Sequence, residues 1–239
     1  MLTKLRKWFN VGVLSNNQLK MIALVCMTID HIGAYILTDW IILRIIGRIA
    51  FPIFAYMIAE GCTYTKKRKK YLGIMAVTAF LYQTAYFVIT GSLAQCILVT
   101  FTLSILLIYV TDYAKTKRTP KACMLALISF IAVFVIAEII PRIFETTFCV
   151  DYGFVGIIVP VLVYVVEAWR DKLFMFSVAL FVLAGISGGV QWFSLLTIPL
   201  IAIYNERRGK RKMKYFFYTY YPLHLAAIFV IKMILERIF

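Results

Sequence analysis

The chain is 239 residues long, 63% hydrophobic and 15% charged, with a mean hydropathy of +0.88. A soluble domain is about 45–50% apolar, so the composition excludes an ordinary soluble protein and predicts an integral membrane protein. A net charge of +15 would suggest nucleic acid in a soluble chain, but here the basic residues cluster in short breaks between apolar runs, so membrane lipids are the expected partners and nucleic acid is not.

The N-terminal stretch Met1–Phe9 is basic and partly apolar, with no small-residue cleavage site after it, and reads as a cytosolic lead-in to a first span. A spanning helix needs roughly 20 mostly apolar residues. Nine segments approach this: 19–37, 40–62, 71–90, 93–112, 122–141, 152–169, 172–189, 190–205 and 215–236. The segment 190–205 is short, so eight spans is the alternative. Lys4, Arg6, Lys7 and Lys20, then Lys66–Lys70, Lys115–Lys121, Arg170 with Lys172, and Arg207–Lys214 fall on one side of this arrangement and hold 21 of the 26 positive residues. That side is cytoplasmic by the positive-inside rule. The opposite breaks contain only Arg142. The expected fold is therefore an all-α polytopic transmembrane bundle, one domain over 1–239, with a cytoplasmic N-terminus. The five cysteines are scattered without metal-ligand spacing and read as small buried hydrophobes, and no metal is expected.

Against this apolar background the ionisable residues stand out. Asp30 and His31 lie in the middle of the first segment, and the second histidine, His224, lies inside Tyr221-Pro222-Leu223-His224-Leu225. At about 1.5 Å per residue, His31 is roughly 16 Å past Lys20, His224 roughly 14 Å past Tyr215, and Arg48 roughly 12 Å in from the opposite side. These depths allow Asp30, His31, Arg48 and His224 to share one layer. Arg44 sits one turn outward of Arg48 on the same face. Glu60 and Gln83 are further polar groups in apolar surroundings.

Each residue also has a structural reading: an Asp30–Arg48 ion pair, packing histidines, a snorkelling Arg44, a solvated Glu60. Intramembrane ionisable groups are costly to keep, so the functional reading carries weight. A neutral histidine is a general base near physiological pH, and a guanidinium holds phosphate, carboxylate or a developing oxyanion. That set suits acyl transfer, and the basic cytoplasmic loops suit an anionic donor such as coenzyme A.

Leu19–Ala23 leading into Asp30-His31-Ile32-Gly33, then Ile46-Gly47-Arg48-Ile49-Ala50-Phe51-Pro52-Ile53-Phe54-Ala55 with Ala59-Glu60-Gly61, then Tyr204-Asn205, Arg208-Gly209 and Tyr221-Pro222-Leu223-His224-Leu225 form a pattern. It resembles the TraX family of polytopic membrane proteins, named for the enzyme that N-acetylates the pilin of conjugative F plasmids. The resemblance implies a bacterial cytoplasmic-membrane acyltransferase. Acetyl-CoA is the donor it implies, and an amine or hydroxyl of an envelope-associated peptide, glycan or lipid the acceptor. His31, Asp30 and His224 are the expected catalytic residues. Arg48, Arg44, Asn205, Arg208 and Lys20 are expected to bind the donor, and Glu60, Tyr221 and Gln83 the acceptor. Pro52 and Pro222 are expected to bend their helices. Glu206 stands where the family pattern has a glycine. A transporter or flippase and a non-catalytic envelope assembly protein are the competing readings.

Overall fold

The computed structural model describes residues 12–143, 147–209 and 213–238, with only the backbone of residues 214, 215, 218 and 238. Of the basic residues that set the expected orientation, Lys4, Arg6, Lys7, Lys210, Arg211 and Lys212 lie outside this description. The chain divides into two compact units, Met1–Met57 with Leu180–Phe239, and Ile58–Ala179. Among the described residues all regular structure is helical, apart from two isolated bridges.

In the first unit, α1 (Asn16–Tyr35) starts at Ser15 with a capping box. Ser15 Oγ accepts from the Gln18 N–H, and Gln18 Oε1 accepts from the Ser15 N–H at 2.9 Å. Two of the donors that a helix start leaves orphaned are satisfied in this way. A turn leads to the short helix α2 (Ile41–Gly47), which packs closely on α1. Glycines set that approach: a Cβ at Gly33 would lie 2.6 Å from Leu43 Cβ, and one at Gly47 would collide with the Asp30 side chain. Helix α3 (Ala50–Tyr64) follows after a break at Arg48 and Ile49. The break has a covalent cause. Pro52 has no N–H to give the Arg48 carbonyl four residues back, and its ring crowds that carbonyl.

The remaining elements of this unit are an eight-residue 3-10 helix (Gly189–Leu196), α9 (Thr197–Ala202) and α10 (Lys214–Ile238). Helix α10 runs through Pro222 without a break, unlike the α2–α3 junction at Pro52. It lies alongside α1 and parallel to it. Lys20 meets Phe217, Thr28 meets Tyr220, His31 meets His224 and Tyr35 meets Phe229.

The second unit contains α4 (Arg68–Thr90), α5 (Ile97–Lys117), α6 (Pro120–Ile143), α7 (Gly153–Val165) and most of α8 (Trp169–Ser187). Helix α6 passes through a π-helical turn at Val135–Ile139. Pro141 follows it and supplies no N–H to the preceding turn, which accounts for the widened register. Glu138 in that turn accepts from the Phe154 N–H at 2.9 Å and so caps α7. Ser104 of α5 donates to the Ile157 carbonyl at 2.8 Å and binds α5 to α7.

Among the described residues five helices are long and apolar enough to cross a membrane: Ile41–Tyr64, Arg68–Thr90, Ile97–Lys117, Pro120–Ile143 and Thr219–Arg237. Their outward residues, among them Phe80, Leu81, Val88, Leu127 and Ile128, are large and exposed, as lipid contact requires. The expected spans 152–169 and 190–205 do not appear as full-length α-helices. Helix α7 has 13 residues, about 20 Å against a hydrocarbon core of about 30 Å. The segment 190–205 is a 3-10 helix plus six residues of α9. The cysteines also need correction. Cys26 and Cys62 are buried, Cys96 is partly exposed, and Cys123 and Cys149 are exposed.

Candidate functional site

The first unit gathers the ionisable residues of α1, α2 and α10 into two adjoining clusters. One is ionic. The Asp30 carboxylate lies 2.6 Å from Arg48 Nη2 and 2.8 Å from Arg44 Nη1, and Arg44 Nη1 also donates to the Asp30 carbonyl at 2.9 Å. Arg44 and Arg48 stand one turn apart, so a single carboxylate bridges both. The absence of a side chain at Gly47 lets Asp30 lie across α2. One carboxylate thus serves two guanidiniums at a place that is mostly buried. Arg48 Nη1 also donates to Gln191 Oε1 at 3.4 Å.

The other cluster is a relay of two histidines. His224 Nδ1 is 2.9 Å from the Tyr220 carbonyl, which can only accept, so Nδ1 carries the proton. With the ring neutral, His224 Nε2 is then an acceptor. His31 Nδ1 lies 2.8 Å from that Nε2 and must be the donor. The remaining lone pair is on His31 Nε2. The tautomers thus follow from one backbone carbonyl. The rings of His31 and His224 lie near parallel with centroids 5.0 Å apart, and the Tyr220 ring lies near parallel to His224 at 5.2 Å. A second rung steadies the pairing of the helices. Thr28 Oγ1 donates to the Leu24 carbonyl at 2.9 Å, so the Tyr220 hydroxyl donates to Thr28 at 2.8 Å.

The Asp30–Arg48 ion pair given as the structural reading of Asp30 is present in this arrangement. Asp30 turns to the arginines, and His31 is held by His224. Adjacent residues on a helix point about 100° apart, which puts the two groups into neighbouring clusters. Tyr221, largely buried, lies edge-on to His224 at 5.6 Å.

The other expected site residues are placed as follows. Lys20 sits at the start of α1 with Nζ 5.5 Å from the Phe217 ring centre, and Arg208 is near enough for its charge to act on Lys20. Asn205 is occupied by the loop: its side chain accepts from the Arg207 N–H at 2.9 Å, and its N–H donates to the Leu14 carbonyl at 2.9 Å. Residues 204–209 fold back on the start of α1 through the Leu14–Tyr204 bridge, and a Cβ at Gly209 would lie 3.2 Å from Ser15 Oγ. Glu206 adopts φ 55°, in the left-handed region. The loop therefore keeps a conformation suited to the glycine of the family pattern, at a cost of about 1–2 kcal/mol.

Glu60 and Gln83 belong to the second unit. Glu60 is 1% exposed and not a solvated helix end; Lys172 Nζ lies 2.9 Å from its Oε1. Lys172 in turn is buried, where the sequence suggested a loop cation. Gln83 bonds the Ala94 carbonyl at 2.7 Å and the Cys96 N–H at 3.0 Å, which ties the α4–α5 connection.

Sequence reasoning missed Gln191, Ser194 and Thr197. All three are buried, and they recur every third residue through the 3-10 helix, which puts them in line on one face. Gln191 meets Arg48, and Thr197 Oγ1 reaches the Ile49 carbonyl at 3.5 Å. Gln191 Nε2 and Ser194 Oγ have no hydrogen-bond partner among the described residues. Each such group costs about 1–3 kcal/mol. The spacing of polar residues by three inside an apolar run was the available signal. Among the described residues no group of three or more His, Cys, Asp or Glu is placed to hold a metal ion.

The chain is similar to the probable fimbrial assembly protein FimC, serogroup H1, of Dichelobacter nodosus, with 26% identity over 236 residues, 92% of this chain and 96% of the relative. It is also similar to the uncharacterized protein RP591 of Rickettsia prowazekii (strain Madrid E), 42% identical over 69 residues, 29% of this chain and 27% of the relative. No solved structure matches. The family model described as TraX protein matches residues 15–232, from the capping serine of α1 to the last turns of α10, and the chain belongs to the TraX family.

Proposed function

We propose that the protein is an acyltransferase of the bacterial cytoplasmic membrane, with its N-terminus in the cytoplasm and cytosolic acetyl-CoA as donor. The acceptor is an amine or hydroxyl of an envelope-associated peptide, glycan or lipid. The observation that carries this reading is the relay from the Tyr220 carbonyl through His224 to His31, which leaves the lone pair on His31 Nε2, in the same unit as a pair of arginines with one carboxylate between them.

In the proposed step His31 Nε2 takes the acceptor proton as the acceptor nitrogen or oxygen attacks the thioester carbonyl carbon. The carbon–sulfur bond breaks, and the departing thiolate takes the proton back from His31. The products are the acylated acceptor and free coenzyme A. His224 positions His31 and shares its positive charge through the Nδ1–H bond. The guanidiniums of Arg44 and Arg48 hold the anionic donor or the developing oxyanion. Lys20 and Arg208 extend this positive character to the mouth of the first unit.

The test is binding of acetyl-CoA to the purified protein in detergent, by thermal shift and calorimetry, with Arg48→Ala as control. Micromolar binding that the variant loses supports the reading. The absence of binding to acetyl-CoA and to longer acyl-CoAs by folded protein overturns it. A second reading, a non-catalytic assembly protein, draws on the name of the fimbrial relative. It requires that His31→Ala leave envelope assembly intact.

A further inference from the structure

The 3-10 helix holds two buried hydrogen-bonding groups, one of them on the residue that meets Arg48. Gln191 Nε2 and Ser194 Oγ have no partner among the described residues, and these residues are 4% and 0% exposed. The amide orientation is fixed, because Gln191 Oε1 accepts from Arg48, so it is the NH2 that is left over. The 3-10 geometry puts Ser194 in line with Gln191, about 6 Å along the axis. It lies between the Arg48 contact of Gln191 and the Ile49 contact of Thr197.

Two donors beside a guanidinium select an acceptor-only group. Resting on the acyltransferase reading, we infer that Gln191 and Ser194 form the notch that receives the acyl carbonyl oxygen of the donor. The Gln191 amide and the Ser194 hydroxyl donate to that oxygen, and Arg48 faces the charge it gains when the acceptor attacks. No covalent bond to Ser194 is involved; the hydroxyl proton stays on Ser194 throughout.

The experiment compares two ligands on full-length protein in nanodiscs by calorimetry. One is the ketone analogue of acetyl-CoA in which a methylene replaces sulfur. The other is S-ethyl-CoA, which has no carbonyl oxygen. The unaltered protein is expected to bind the ketone about tenfold more tightly. Ser194→Ala and Gln191→Met are each expected to reduce that ratio about fivefold and to leave S-ethyl-CoA binding unchanged. Ser194→Ala removes a hydroxyl without a partner, so its melting temperature should not fall. If Gln191→Met does not fold, Ser194→Ala alone decides. A ratio that survives in the variants, or equal weakening of both ligands, overturns the notch. An unaltered protein that binds both ligands without preference also overturns it and leaves the acyltransferase reading standing. A protein that binds neither ligand removes that reading and the notch together.

Discussion

In the unit Ile58–Ala179, Glu60 meets Lys172, and the Arg68–Asp112 pair is completed by the Tyr164 hydroxyl donating to Asp112 at 2.6 Å. In the other unit, Asp30 stands between two guanidiniums, a histidine nitrogen keeps its lone pair, and two buried donors have no partner among the described residues. Polar groups in a low-dielectric interior are costly unless matched. Where each is matched, the charges hold helices together and no ligand is needed. Under the proposed function, the donors left over beside the shared carboxylate are the place for the substrate. Tyr109 Oη in the unit Ile58–Ala179 is also buried without a hydrogen-bond partner among the described residues, so the contrast lies in the carboxylate that two arginines share and not in unpartnered polar atoms as such.

The largest test of the contrast is His31→Ala. If the lone pair on His31 is the base, release of coenzyme A from acetyl-CoA by membranes carrying the protein should fall about 10²–10⁴-fold. The melting temperature should change little by comparison. Removal of a carboxylate should then act differently in the two units. Glu60→Gln strands a buried ammonium and should destabilise by about 3–5 kcal/mol, read as a fall in melting temperature in detergent. It should leave acetyl-CoA affinity unchanged in the fraction that folds. Asp30→Asn carries a similar stability cost and should change acetyl-CoA affinity as well, because it frees both arginines. If the two variants behave alike, the distinction between the units fails.

Gly47→Ala is a smaller perturbation. The new methyl would occupy the position of the Asp30 carboxylate, at about 1–3 kcal/mol for overpacking. Chemical denaturation together with acetyl-CoA titration should show both stability and affinity reduced. The same change at Gly73, which has open space around it, should be neutral or stabilising. The smallest effect is expected at Glu206. Glu206→Gly relieves a left-handed residue and should raise stability by about 1 kcal/mol or less, visible as a small upward shift in thermal unfolding.

How much of this was legible beforehand differs by residue. Asp30, His31, Arg48 and His224 stood out because charged groups are rare in apolar helices, and rise per residue placed them at one depth. The pairing among them did not follow from depth. Two neighbours on a helix diverge by about 100°, so Asp30 and His31 were bound to face different partners, and only the packing of α2 and α10 chose which. Gln83 and Glu60 were visible as polar residues at membrane depth, but their roles as a loop tie and an ion-pair partner depend on Ala94, Cys96 and Lys172, which are distant in sequence. Gln191 and Ser194 carry no charge and sit in a segment too short for a confident span.

The chain by itself determined the helical class, the membrane setting, the family and the break ahead of Pro52, since each depends on local composition, sequence pattern or covalent geometry. Tertiary structure decided the tautomers of the two histidines, the sharing of Asp30 by two arginines and the alignment of a 3-10 face with Arg48. Each of these requires groups up to 193 residues apart to lie within hydrogen-bond reach, and contact at that separation is a property of packed helices rather than of any segment.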